Sequence, residues 1–159
     1  MIARKLSGFD VTVIAHDKFP DFEAAEALNV EIVGAGEVLS RSEVVCVMLP
    51  GLPETRHFMN AETFERMKAG AYFINTARGA LVDEAALKAA LDSGKLRGAA
   101  IDVYESEPVD PGNPLLNVPG LVTTPHTAAE TYETYSSVGL LTARAVVDAL
   151  DGRVPRNLL

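Results

Sequence analysis

The chain has 159 residues, of which 48% are hydrophobic and 23% charged, a composition typical of one soluble globular domain. Fourteen Lys and Arg residues against 22 Asp and Glu give a formal net charge of −8, so nucleic acid is not expected as a partner. A single cysteine, Cys46, excludes an internal disulfide, and its apolar neighbours predict a core position. No apolar run approaches the ~18 residues of a membrane span, and the start lacks the apolar core of a signal peptide, so a cytoplasmic location without a membrane partner is expected.

Apolar, strand-prone segments alternate with helix-prone segments along the chain. Nearly continuous apolar runs predict strands at 11–16, 30–33, 44–49, 71–75, 98–103 and 121–124. Helices are predicted between most of these strands and after the last one, at 21–28, 36–42, 61–67, 84–94 and 128–150. Such apolar runs are typical of a sheet covered on both faces, and the alternation predicts right-handed βαβ units. The predicted fold is a doubly wound α/β domain with a parallel sheet.

Polar residues follow several predicted strands, at the edge where ligands bind in an open parallel sheet. Arg78 follows the fourth strand, Glu105 and Glu107 follow the fifth, and His126 follows the sixth. An arginine can hold a carboxylate through two parallel hydrogen bonds, and a histidine can exchange a hydroxyl proton near neutral pH. A carboxylate beside that histidine would fix its tautomer and raise its pKa. The set lacks only a hydride carrier, and a doubly wound sheet is a typical site for a dinucleotide.

Asp17 ends the first predicted strand, where a carboxylate can accept hydrogen bonds from both ribose hydroxyls of an adenosine. The same charge would repel a 2′-phosphate, which favours NAD over NADP, although the neighbouring Lys18 weakens that inference. The alternative is that Asp17 caps the helix that follows.

A glycine-rich phosphate loop is not found in the sequence. Gly34 and Gly36 have the spacing of its first two glycines, but Leu39 occupies the third position and the segment follows Asp17 instead of preceding it. Residues 2–10 are similar to the helix that follows such a loop, so the chain is expected to begin inside a dinucleotide-binding unit.

The other strand-end residues also have structural interpretations. Arg78 could be an ordinary exposed arginine of a turn, and Glu107 a solvated loop carboxylate. Asp102 could cap or close a turn, and His126 could form a hydrogen bond at a strand end. Their joint placement at one sheet edge favours the functional interpretation.

Two long segments carry a family resemblance: "INTARGALVDEAALKAALDSGKLRGAAIDVYESEP", from Ile74, and "LVTTPHTAAET", from Leu121. They resemble the D-isomer-specific 2-hydroxyacid dehydrogenases of the phosphoglycerate dehydrogenase type, and the likeness runs from residue 2 to the C-terminal "GRVPRNLL". The resemblance implies a Rossmann-type cofactor domain and an NAD-dependent oxidoreductase. Its substrate would be a small D-2-hydroxy acid, interconverted with the 2-oxo acid.

The resemblance also implies roles for particular residues. Arg78 would bind the substrate carboxylate, Glu107 would pair with the catalytic histidine, and His126 would be that acid/base. Gly79 is expected to let the chain turn sharply after Arg78. No metal is expected. The expected cofactor contacts lie at or after strand ends and are Asp17, Pro50, Thr76, Ala77, Arg78, Asp102, His126, Ala128 and Ala129.

Family members are longer than this chain, with a substrate domain, a first sheet strand and a glycine-rich loop that this sequence lacks. Residues 1–126 are therefore expected to form a partial NAD-binding domain, incomplete at its N-terminus. Residues 127–159 are expected to form a long helix and a tail that returns towards the missing substrate domain. The chain alone is expected to be a poor catalyst, and the family's usual dimerisation through the cofactor domain implies a homodimer.

Two other interpretations stay open, a non-enzymatic NAD-responsive binding module and a truncated remnant with neither activity. The intact mass of the native gene product separates them from the dehydrogenase interpretation. A mass near double the 17.0 kDa of this chain is expected for the dehydrogenase.

Overall fold

The computed structural model describes residues 2–156, so Met1 and the end of the predicted tail, 157–159, lie outside the described residues. Strands and helices alternate along this part of the chain. The strands are β1 (Val13–Ala15), β2 (Val30–Ile32), β3 (Val44–Val47), β4 (Ala71–Asn75), β5 (Leu96–Ile101) and β6 (Leu121–Thr123). The helices are α1 (Ile2–Leu6), α2 (Phe22–Ala27), α3 (Ala35–Arg41), α4 (Ala61–Arg66), α5 (Glu84–Asp92) and α6 (Tyr132–Leu150).

The strands form parallel sheets, as the sequence predicts, and the α/β fold class is confirmed. One sheet has the order β1-β2 and the other the order β3-β4-β5-β6. The arrangement differs from the expected single sheet because β1 and β3 each have one strand neighbour within residues 2–156. All strands nevertheless run parallel within each sheet, so the loops after β3, β4, β5 and β6 leave the same edge.

The chain divides into two compact units, one ending at Pro125 and one beginning at His126. The second unit contains α6, which begins at Tyr132 and not at residue 128 as predicted. The difference arises because Thr131 caps the helix, its hydroxyl accepting a hydrogen bond from the Thr134 N–H at 3.1 Å. Between residues 2 and 156, neither α6 nor any other helix is long and apolar enough to span a membrane.

The core of the first unit lies between the four-stranded sheet and the helices α4 and α5. Phe64 of α4 and Phe73 of β4 are 1% and 0% exposed and meet edge to face, with ring centroids 5.2 Å apart. Leu87 of α5 is also fully buried, and Asp83 caps α5 by accepting a hydrogen bond from the Ala86 N–H at 3.0 Å. The edge-to-face aromatic pair fixes α4 against the middle of the sheet.

The opposite face of the four-stranded sheet remains open within the described residues, although the sequence predicts a sheet covered on both faces. Val44, Tyr72 and Val122 are 53%, 43% and 65% exposed. Cys46 lies opposite Ile74 in the register of β3 and β4 and is exposed too, so the prediction of a core position for it is wrong. Partial burial among these neighbours raises the pKa of the Cys46 thiol.

Replacing Phe73 by alanine should lower the free energy of unfolding by about 3–5 kcal/mol, because it leaves a cavity and removes the aromatic pair with Phe64. Phe19→Ala is the matched control, since Phe19 is 81% exposed and should lose no more than about 0.5 kcal/mol. Urea unfolding of both variants measures the difference, and equal losses would contradict the described core.

Candidate active site

The turn after β4 is held by the last residue of that strand. Asn75 is 1% exposed, and its amide donates to the Arg78 carbonyl oxygen at 3.0 Å while its amide oxygen accepts from the Ala77 N–H at 3.0 Å. Both polar ends of a fully buried side chain are therefore satisfied by the turn that carries Arg78. Sequence reasoning missed Asn75, although an asparagine two residues before a turn N–H is a known signal for such a hydrogen bond.

Arg78 is exposed at the sheet edge, and the stem of its side chain lies beside Gly51 in the loop after β3. A Cβ at Gly51 would come 3.1 Å from Arg78 Cγ, so this glycine leaves room for the stem. The Arg78 Nη1 donates to the Ala77 carbonyl oxygen at 2.6 Å. The remaining donors of the guanidinium give it the fork that suits a carboxylate.

Gly79 lets the turn after β4 touch the loop after β5. A Cβ at this position would lie 1.9 Å from the Tyr104 carbonyl oxygen, a distance that no side chain can occupy. The chain does turn after Arg78, in a short 3-10 turn from Gly79 to Leu81, but Gly79 is not among the residues with positive φ. The position needs glycine for the close approach of two backbones.

Glu107 and Glu105 lie in the same loop with different partners. The Glu107 carboxylate accepts a hydrogen bond from the Tyr104 N–H at 2.9 Å. The Glu105 carboxylate forms an ion pair with Arg56 and a hydrogen bond with His57, whose Nε2 lies 2.7 Å away. Because Tyr104 touches Gly79, the loop that carries Glu107 adjoins the turn that carries Arg78. The choice of Glu107 over Glu105 as the partner of the catalytic histidine stays a prediction.

Asp102 is 2% exposed at the end of β5. Its carboxylate accepts a hydrogen bond from the Thr124 hydroxyl, and its N–H donates to the Asn75 carbonyl oxygen at 3.0 Å. The buried Asp102 carboxylate therefore lies at the end of β5, the strand that pairs with β4 on one side and β6 on the other. This position matches the sequence expectation of a polar strand-end group, whereas the cofactor role itself stays a prediction.

Asp17 lies after β1 and is exposed. Its carboxylate accepts a hydrogen bond from the Phe19 N–H at 2.8 Å. It does not cap α2, because Asp21 does so by accepting from the Ala24 N–H at 2.9 Å. The helix-cap alternative for Asp17 is therefore wrong, and its side chain remains exposed at a strand end.

The second unit begins with His126, directly after the Thr123–Thr124–Pro125 segment that ends the first unit. His126 has φ = 57°, an uncommon backbone conformation for a residue other than glycine, and such residues concentrate at functional sites. The following turn is closed by hydrogen bonds from the Glu130 N–H to the Thr127 carbonyl oxygen at 2.9 Å and from the Thr131 N–H to the Ala129 carbonyl oxygen at 3.0 Å. The structure thus places Arg78, Glu107, Asp102 and Pro50 in the first unit and His126, Ala128 and Ala129 in the second.

The strand-end residues fit a dinucleotide in part. The exposed carboxylate of Asp17 suits ribose hydroxyls, and the buried Asp102 with the ordered 76–78 turn suits the opposite end of a cofactor. A glycine-rich phosphate loop is not part of the 159-residue sequence. These features fit a dinucleotide-binding domain of the Rossmann type.

Comparison with known proteins agrees with this class. Residues 1–128 match the family model of the D-isomer specific 2-hydroxyacid dehydrogenase, NAD binding domain. The chain belongs to this family, and the sequence-based resemblance and the expectation of NAD as the cofactor are confirmed at the level of the family.

Two curated proteins and one solved structure are also similar to this chain. D-3-phosphoglycerate dehydrogenase of Archaeoglobus fulgidus is 41% identical over 98% of the chain and 30% of its own length. Glyoxylate/hydroxypyruvate reductase B of Salmonella newport is 39% identical over 94% of the chain and 46% of its own length. The solved structure of D-lactate dehydrogenase with NAD⁺ from Lactobacillus jensenii matches with a TM-score of 0.90 and 25% identity, over 99% of this chain and 51% of that one. The chain thus spans less than half the length of the curated relatives it matches.

Replacing Gly79 by alanine should lower the free energy of unfolding by about 1–3 kcal/mol or more, because the new methyl group would force the backbones at 79 and 104 apart. Gly36→Ala in α3 is the control, since a Cβ there meets nothing within 4 Å and should stabilise the helix by about 0.5–1 kcal/mol. Chemical denaturation measures both variants, and amide chemical shifts of residues 104–107 should move only in Gly79→Ala. Unchanged stability in Gly79→Ala would contradict the close approach.

Proposed function

We propose that this chain is the cofactor-binding part of an NAD-dependent oxidoreductase that interconverts a D-2-hydroxy acid and its 2-oxo acid. The observation that carries the proposal is the contact of the Arg78 turn with the Glu107 loop at the carboxyl ends of neighbouring strands. Membership of the family supports the same reaction. A small-molecule acid is therefore the proposed substrate.

Arg78 binds the substrate carboxylate in this proposal, because its guanidinium offers two parallel donors and its stem is fixed over Gly51. His126 exchanges the proton that the substrate oxygen gains or loses in this proposal, and Glu107 is the carboxylate proposed to pair with it. NAD, when bound, supplies or accepts the hydride. The protein's own contribution is to orient the acid and to exchange one proton.

The proposed cofactor residues fall into two groups. Asp17 holds the adenosine ribose, and the exposure of its carboxylate after β1 supports that role. The other proposed contacts surround the nicotinamide end and are Pro50, Thr76, Ala77, Arg78, Asp102, His126, Ala128 and Ala129.

The curated relatives are more than twice as long as the region they share with this chain, so we propose that the activity belongs to a protein of their length. In that protein, residues 1–126 serve as the NAD-binding part and 127–159 return towards the substrate-binding part. We also propose a homodimer formed through the cofactor domain and a cytoplasmic location, by analogy with the family.

Arg78→Ala should lower kcat/KM for a 2-oxo acid by about 10²-fold or more in the full-length gene product, because two charge-assisted hydrogen bonds are each worth about 1.5–3 kcal/mol. Arg78→Lys should restore little, since an ammonium cannot form the parallel pair. Arg66→Ala is the control, because Arg66 pairs with Glu62 on the exposed side of α4. Steady-state NADH oxidation measures all three, and an unchanged kcat/KM in Arg78→Ala would reject the assignment.

Asp17→Asn should narrow the preference for NADH over NADPH by at least about fivefold, because a like-charge contact at about 4 Å costs about 1 kcal/mol in water. Glu23→Gln removes the same charge from the first turn of α2 and should leave the preference unchanged. The ratio of kcat/KM with NADH to kcat/KM with NADPH measures this preference. NADH binding without turnover of any 2-oxo acid would instead favour the non-enzymatic module.

A further inference from the structure

An ion-pair cluster outside the proposed catalytic set joins two loops at the sheet edge. The Glu105 carboxylate lies within hydrogen-bonding distance of the Arg56 guanidinium and of His57 Nε2, the latter at 2.7 Å. Arg56 and His57 belong to the connection between β3 and α4, and Glu105 belongs to the loop after β5. The side chains of Arg56, His57 and Glu105 are 55%, 35% and 28% exposed, so the cluster lies at the surface of the protein.

The β3–α4 side of this cluster is rigidly attached to the turn that carries Arg78. The His57 N–H donates to the Ala80 carbonyl oxygen at 2.9 Å, and the Met59 N–H donates to the Leu81 carbonyl oxygen at 2.9 Å. Met59 and Val82 form a parallel bridge next to these bonds. His57 has φ = 50°, and its carbonyl oxygen accepts from the Asn60 side-chain amide at 3.1 Å. Residues 57–59 therefore form a fixed platform beside residues 80–82.

Side-chain hydrogen bonds tie the loop after β5 to α5. The Glu105 N–H donates to Glu84 Oε1 at 2.8 Å, and Glu84 Oε2 accepts from the Asn113 side-chain amide at 2.8 Å. The Tyr104 N–H donates to the Glu107 carboxylate at 2.9 Å. In this arrangement, the backbone of Glu105 is held by α5 and its side chain by the β3–α4 platform. Glu107 lies only two residues further on.

We propose that Glu105 is a positioning residue for the proposed reaction. By pairing with Arg56 and His57, its carboxylate fixes the loop that presents Glu107 against the turn that presents Arg78. The inference rests on the proposed function. It assigns to Glu105, the first glutamate of the "ESEP" segment, a task distinct from the pairing with the catalytic histidine that is proposed for Glu107. The carboxylate is suited to this task because one of its oxygens, Oε1, lies within hydrogen-bonding distance of both Arg56 and His57.

Glu105→Ala should lower kcat/KM for the 2-oxo acid about tenfold or more in the full-length gene product, since a misplacement of about 1 Å can cost about 10²-fold. Only kcat/KM for the 2-oxo acid should decrease, and the dissociation constant of NADH should stay unchanged. Glu105→Gln keeps an acceptor for Arg56 and should recover part of the loss. Glu62→Ala is the matched control, because it breaks an exposed carboxylate–guanidinium pair on α4 that has no link to the loop after β5.

Amide hydrogen exchange tests the cluster without relying on catalysis. In Glu105→Ala, the amides of Tyr104 and Glu105 should exchange at least about tenfold faster, because the loop opens locally more often. The amide of Tyr72, bonded to the Glu43 carbonyl oxygen in the sheet, should be unaffected. A double variant with Arg56→Ala should add little to the effects of Glu105→Ala alone.

These measurements separate the two hypotheses. If Glu105→Ala exchanges faster but the wild-type protein reduces no 2-oxo acid, the proposed function is rejected, and the positioning role of Glu105 with it, while the tie between the loops is confirmed. Activity that survives in Glu105→Ala as in Glu62→Ala would overturn the positioning role. Unchanged exchange at Tyr104 and Glu105 would overturn the tie itself.

Discussion

The contact between Gly79 and Tyr104 determines the geometry of the candidate site, because it brings two loops from neighbouring strands into direct backbone contact. Parallel pairing of β4 and β5 makes both loops leave the sheet at one edge. A side chain at position 79 would push the two loops apart. Arg78 and Glu107, which these loops carry, would then no longer be held next to each other. The geometry of the candidate site thus depends on glycine at position 79 as much as on any charged group.

Rigid, buried polar groups support exposed reactive ones at this edge. Asn75 and Asp102 are both almost fully buried, and the backbone of each is bonded to the other, since the Asp102 N–H donates to the Asn75 carbonyl oxygen. Arg78, by contrast, is exposed, which suits the substrate contact proposed for it. Hydrogen bonds that are fully satisfied inside the sheet give the outer side chains a defined starting position. The site is therefore prepared mainly by the backbone.

Much of the fold could be predicted from the sequence, because parallel strands leave continuous apolar runs and strand-end polar residues such as Arg78 follow them directly. The prediction failed where the cause is distant in the chain. The need for Gly79 lies in Tyr104, 25 positions away in sequence, and His57 has no local signal for its pairing with Glu105. The start of α6 depends on which of several threonines caps it, and apolar composition alone does not decide that. The open sheet face was missed for a similar reason, since a run such as β3 looks the same whether one face or both are covered.

The open face also carries a natural site for chemical labelling. Cys46 is the sole thiol in the sequence and lies on that face, opposite Ile74. A thiol-specific reagent would therefore attach at a single known position without any engineering of the chain. Because the thiolate is the reactive form and the pKa of Cys46 is raised, the rate of attachment would increase as the pH rises. The rate would fall sharply if another surface covered the strand. Labelling kinetics would thus show directly whether this side of the sheet stays in contact with water when the domain works within a larger assembly.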